Sequence, residues 1–300
     1  MKTLALQNIR RHLIWILFLF CTLCLVAGCN DKQVSVPAGQ SKLKVAVTIV
    51  PQATFVKAVG GDLVDVVTMV PPGGNPENYS PTPQQMMEFS NAQIYFAIGV
   101  PSEKATILPK IKDLNSNIKL LDLPELVDQK YPPHVFATGE RDPHMWLSPR
   151  RVKEIVLITA EELSQLDPAH RDIFAANAQA YNTQLNQLDQ DIKTSLAGLS
   201  NKTIIVYHPA FGYFAEDYGL NMVALEEEGK EATAINLQKV IDLAKKENIK
   251  VIFYQAEIDS KQSHTMATEI GGQAEMIAPL DPDYINNLQK TVQTFARVLR

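Results

Sequence analysis

Two histidines and two carboxylates draw attention first, because imidazole and carboxylate are groups that hold cations or activate water. His144 stands in Asp142-Pro143-His144-Met145-Trp146-Leu147-Ser148-Pro149, and His208 in Tyr207-His208-Pro209-Ala210-Phe211-Gly212-Tyr213. Glu77 lies in Pro71 to Pro83, a loop with five prolines that loses little entropy on being held in one shape. Asp281 sits in Leu280-Asp281-Pro282. Singly, none is diagnostic: a His beside aromatics also serves as a packed, hydrogen-bonded side chain, and Asp before Pro also serves as a turn or helix cap. As a set they fall two in each half of the chain, so they act together only if the halves face one another.

The elements that must position them alternate. Short β-branched runs and longer helical patterns follow each other from Leu43, the signature of parallel sheet covered by helices. Strands are expected at 44–49, 64–69, 94–98 and 119–121, and again at 203–207, 221–224, 251–254 and 274–277. Helices are expected at 53–59, 83–90 and 103–112, then from Pro149 with Ser148 as N-cap, and at 211–217, 234–247, 261–270 and 282–299. Between the two series, Asp167-Pro168 opens a helix whose apolar stripe runs Phe174, Ala178, Tyr181, Leu185, Leu188, Ile192, Leu196, with Gly198 ending it. At 1.5 Å per residue it makes a rod of roughly 40 Å. The fold class is therefore α/β: two lobes (43–166 and 200–300), each a mostly parallel sheet covered by helices, joined by one long connecting helix (167–199). The four polar residues stand at strand ends or in the loops that follow, where open α/β sheets place ligands.

The amino terminus sets the compartment. Lys2, Arg10 and Arg11 precede the apolar run 13–27, which is shorter than the ~20 residues that span a bilayer and reads as an export signal. Leu25-Val26-Ala27-Gly28-Cys29 resembles the bacterial lipoprotein signal, which implies cleavage after residue 28 and acylation of Cys29; more than one acyl chain would anchor it stably. Residues 29–42 read as a lipid-anchored flexible tether reaching about 20 Å as a coil. Loss of residues 1–28 removes three positive charges and no negative ones, taking the net charge from −5 to −8. That balance argues against a nucleic-acid partner. All three cysteines lie in or at the end of the leader, so the exported domain has no disulfide and depends on its core.

On these strings the chain resembles the metal-binding lipoproteins of bacterial zinc and manganese ABC importers, the cluster A-I substrate-binding proteins. The resemblance is carried by the lipobox, the Pro-Gly-rich loop ending in Tyr79-Ser80-Pro81-Thr82-Pro83, the Asp-Pro-His-x-Trp-Leu-x-Pro string, the Tyr-His-x-Ala-Phe-Gly-Tyr-Phe string running into Tyr218-Gly219-Leu220, and Leu-Asp-Pro. It implies a single divalent metal ion between lobes, a separate permease and ATPase as partners, a monomer, and a place outside the cytoplasm: the outer face of the plasma membrane, or the periplasm where an outer membrane exists. It places ligands on His144, His208 and Asp281. The first ligand departs from the family, whose Pro-His-x-Tyr is here Pro76-Glu77-Asn78-Tyr79, so Glu77 takes the His position.

Two imidazoles and two carboxylates suit Zn²⁺, Fe²⁺ or Mn²⁺ better than Ca²⁺ or Cu⁺, and leave zinc against manganese open. The stretch 129–142 holds only His134, so a His-rich collecting loop is absent and His134 is expected in solvent. Glu226-Glu227-Glu228 with Glu231 reads either as a solvated loop or as a cation-concentrating cleft mouth. Other classes compete. A zinc-dependent hydrolase would need an open coordination position and a nearby base, and the chain has no His-Glu-x-x-His, Gly-x-Ser-x-Gly or Gly-x-Gly-x-x-Gly string, so no enzyme is expected; without a Walker A string, ATP-driven transport needs a separate ATPase and a separate membrane channel. A surface adhesin or other interaction lipoprotein is the second alternative, and a binding protein for a metal chelate, which would need a wide aromatic or basic cleft rather than converging ligands, is a third.

Overall fold

The structure, a computed structural model, describes residues 41–226, 232–258 and 261–299. The export signal, Cys29 and all but the last residues of the tether lie outside these.

Two four-stranded, all-parallel sheets flank the long helix. The first holds β1 (Leu43–Val47), β2 (Val64–Thr68), β3 (Ile94–Ala97) and β4 (Lys119–Asp122), in the order β2-β1-β3-β4. The second holds β5 (Thr203–Val206), β6 (Asn221–Ala224), β7 (Val251–Gln255) and β8 (Gln273–Ile277), in the order β6-β5-β7-β8. The topology is the same in both, although no sequence repeat is visible. Among the strands, β3 and β5 are buried along their whole length, which is why Ile-Tyr-Phe-Ala and Thr-Ile-Ile-Val read as unbroken apolar runs rather than alternation.

The covering helices are α1 (Val50–Gly60), α2 (Pro83–Phe89), α3 (Ile111–Leu114), α4 (Leu123–Asp128) and α5 (Pro149–Leu166) in the first half. The second half has α7 (Gly212–Tyr218), α8 (Ala234–Lys246), α9 (Lys261–Glu269) and α10 (Tyr284–Val298). Residues 103–110, expected as helix, instead form a π-turn followed by a 3₁₀ turn in which Pro109 sits. The sequence pattern also passes over α4, six residues whose Pro124 falls in the first turn and whose N-cap Asp122 accepts from the Glu125 amide.

The connecting helix α6 runs Arg171–Leu196 after a 3₁₀ turn at Pro168–His170, so its 26 residues span about 39 Å. Phe174, Ala178, Leu185, Leu188, Ile192 and Leu196 are buried as the stripe requires. The helix packs against α1 and α5 on the side of the first sheet and against α10 on the side of the second. Asn177 adds a hydrogen bond to the Val59 carbonyl at 2.9 Å, and Tyr218 donates to Asp189 at 2.9 Å. No helix among the described residues is long and apolar enough to cross a membrane.

Candidate metal centre

Each arm of the site is fixed by local chemistry. The loop after β2 folds around Asn75, whose side-chain oxygen accepts the Glu77 amide at 2.9 Å and whose carbonyl accepts the Tyr79 amide at 2.9 Å. Tyr79 in turn donates to Gln85 of α2, and Ser102 N donates to the Pro76 carbonyl at 3.0 Å. Behind that contact lies Glu103, almost wholly buried, which accepts from Thr48 Oγ1, from Ile98 N at 2.9 Å and from Gly99 N at 3.0 Å. Burial pushes the Glu103 carboxyl up, and those donors oppose the rise. The network ties the ends of β1 and β3 to the loop that carries Glu77.

His144 precedes a single 3₁₀ turn, Met145–Leu147, and Asp142 Oδ1 binds it twice, accepting from its amide at 2.8 Å and meeting its Nδ1 at 2.7 Å. His208 follows β5 by two residues, and its Nδ1 is bonded to Glu226, which lies two residues past β6. With both Nδ1 atoms tied back, the two Nε2 atoms face each other at 3.0 Å, and Glu77 Oε1 stands 3.6 Å from His208 Nε2. One donor atom from each of Glu77, His144 and His208 lies within 4.8 Å of the other two. Bonds of 2.0–2.1 Å at a tetrahedral angle separate two ligand atoms by about 3.3 Å, a value bracketed by the 3.0 and 3.6 Å spacings.

The fourth expected ligand is not grouped with these three. Asp281 is not in this cluster; its Oδ1 accepts from Asp283 N at 2.8 Å at the entry to α10, the turn-and-cap role open to any Asp before Pro. Its charged neighbour is Glu257, whose carboxyl is raised chiefly by burial, against an opposing backbone hydrogen bond and with a smaller push from the Asp281 charge. His134, expected in solvent, is half-buried, with Nδ1 3.3 Å from Glu216 and its ring against Tyr213. Glu226, passed over in the sequence as one of an acidic run, is buried against His208, while Glu227, Glu228 and Glu231 lie outside the described residues. Asp142 was equally overlooked; the Asp-Pro-His spacing that lets its carboxylate reach back to the imidazole was the available signal.

The three side chains line two spaces. One is a cleft of about 390 Å³ shared with Lys104, Phe136 and Glu140. The other is a small space of about 10 Å³ whose wall includes Trp146, Gln255 and Leu280. Gly212 packs closely against Asp142 and His134: a Cβ there would stand 2.5 Å from Asp142 Oδ2 and 2.7 Å from the His134 ring, so no larger residue fits without moving them.

Two similar α/β halves around a long helix bring together two imidazoles and a carboxylate with the donor types and spacing to hold one small cation. The chain belongs to the family described as zinc-uptake complex component A, periplasmic, whose model matches residues 45–298. It is 30% identical over 272 residues to the high-affinity zinc uptake system protein ZnuA of Bacillus subtilis strain 168, covering 86% of this chain and 85% of that protein. The zinc-binding lipoprotein AdcA of Streptococcus pneumoniae strain R6 is 29% identical over 273 residues, 87% of this chain but 54% of that longer relative. A crystal structure of a ZnuA matches with a TM-score of 0.81 at 37% identity, over 87% of this chain and 100% of the other.

Proposed function

We propose that this chain is the extracytoplasmic binding component of a zinc importer, taking a single Zn²⁺ from solution between its lobes and releasing it to an ABC permease driven by a separate ATPase. Glu77, His144 and His208 are the ligands, and acylated Cys29 holds the protein to the membrane as a monomer. The observation that carries the reading is the pair of imidazoles whose Nδ1 atoms are tied to Asp142 and Glu226 while their Nε2 atoms converge beside Glu77. Metal-ligating histidines are held in this way, with the far nitrogen on a carboxylate that sets the tautomer and strengthens the ligand. A site made for capture rather than catalysis needs nothing more, and the reading assigns no reaction to it.

Calorimetry of the full chain with Zn²⁺ salts tests this. One ion per chain is expected, with binding lost in His144→Ala and His208→Ala and weakened at least tenfold in Glu77→Ala. A stoichiometry of zero, or variants that bind like the parent, would overturn the assignment. Binding must also release or exclude protons, because a ligating imidazole is neutral.

A further inference from the structure

The halves also meet along a seam at the start of α10, which uses none of the metal centre's side chains. There Thr54 of α1 donates to the Pro282 carbonyl at 2.8 Å, and the Tyr284 ring stands edge-on to Phe55 with centroids 5.0 Å apart. Tyr181 of α6 brings its ring to 6.4 Å from the same Phe55. Both phenol hydroxyls are buried with no hydrogen-bond partner among the described residues, and Tyr284 is only 3% exposed. Their surroundings keep them protonated: burial raises both phenols first, with Tyr181 and Asp217 adding to the rise at Tyr284 and Asp283 adding to it at Tyr181. A protonated phenol is a donor, and two buried donors without acceptors are costly. Asp217 of α7 is the acceptor the seam supplies. Three donors already reach its carboxylate, Ser148 Oγ, Arg150 Nη1 and Arg151 Nη1, against about four lone-pair sites, so one more donor can be taken. The Asp217 charge acts on the Tyr284 phenol, yet the hydroxyl does not reach the carboxylate directly.

We propose that this seam is a binding site for one internal water molecule, which accepts from the hydroxyls of Tyr284 and Tyr181 and donates to Asp217. About three partners are what a buried water usually has. The site takes water rather than an ion, because its free groups are two neutral donors beside a carboxylate whose charge Arg150 and Arg151 already balance. The water joins the connecting helix to α7 and α10 at the place where α1 of the first half packs on both tyrosines, so it fastens the seam from within. Zn²⁺ capture plays no part in it.

The test uses the metal-free full chain and the variants Tyr284→Phe, Tyr181→Phe and the double variant, which keep the rings and remove only hydroxyls. If the hydroxyls hold a water, each single variant is expected to melt about 2–4 °C below the parent, the effect of one lost hydrogen bond in a chain of this size. The double variant should lose less than the sum of the two, since both hydroxyls serve the same molecule. Magnetic relaxation dispersion of the solvent's oxygen nuclei, which counts waters held inside the protein, should find fewer long-lived waters in the double variant than in the parent. A Tyr284→Phe chain that melts at or above the parent would show a hydroxyl with no partner at all, and would overturn the proposal. Strictly additive losses, or an equal count of long-lived waters in parent and double variant, would overturn it too.

Discussion

At the scale of single residues, the two imidazoles are set apart from ordinary core histidines by their carboxylate partners. Asp142 is locked by its own turn, since the oxygen that meets His144 Nδ1 also accepts the His144 amide. Glu226 reaches His208 from a different strand end, so its grip depends on β5 and β6 holding register. Replacing either carboxylate by its amide is expected to weaken Zn²⁺ binding by roughly 10- to 100-fold while the fold persists, as read by calorimetry alongside circular dichroism. Parental affinity in both Asp142→Asn and Glu226→Gln would mean that the carboxylates only pack.

At the scale of elements, the amino end of α5 is the busiest junction. Ser148 caps the helix, accepting from Arg151 N at 3.3 Å, and its hydroxyl also donates to Asp217 of α7. Arg151 bonds the same carboxylate at 3.1 Å and lays its guanidinium 4.3 Å from the Tyr213 ring centroid. Both side chains of this pair are nearly inaccessible, at 4% and 3% exposure, so neither can turn to water if the other is removed. Asp217→Ala is therefore expected to cost about 3–5 kcal/mol, the penalty for stranding a buried charge. For a chain of this size that lowers the melting temperature by roughly 10 °C, measurable by calorimetry; a shift of only a degree or two would show that Arg151 finds another partner.

At the scale of the molecule, the halves are fastened to each other as well as to α6. Trp146 Nε1, from the loop before α5, donates to the Pro279 carbonyl at 2.9 Å, and Thr54 of α1 donates to the Pro282 carbonyl at 2.8 Å. With α6 packed against helices of both halves, ion capture is expected to proceed with backbone shifts of about 1 Å or less, the behaviour of a preformed site. Trp146 offers the readout, because its ring centroid is 5.0 Å from that of His144 and the sequence has one other tryptophan, Trp15, within the apolar run expected to be an export signal. Titration with Zn²⁺ should change its emission, and the response should vanish in Trp146→Phe and in His144→Ala while small-angle scattering stays constant. An unchanged emission at saturation would place the ion away from His144.

Much of this was legible along the chain, because it is local physics. Strand and helix periods, the Ser148-Pro149 cap, the stripe of α6 and the Pro-rich loop follow from side-chain pattern and backbone restriction, which act over a few residues. The strings around Glu77, His144 and His208 could be singled out for the same reason. What the sequence left open was which distant groups meet. Glu226 looked like part of a solvated acidic run until β6 beside β5 brought it to His208. Gln255 carried no motif, and only the parallel register of β7 with β5 set it against the metal centre. Asp281 had the right type and the right string, yet among the described residues only Glu77, His144 and His208 are grouped within 4.8 Å of one another, while an oxygen of Asp281 accepts the Asp283 amide. Contacts between residues tens to hundreds of positions apart are fixed by sheet order and lobe packing, and these emerge only when the whole chain has buried its core.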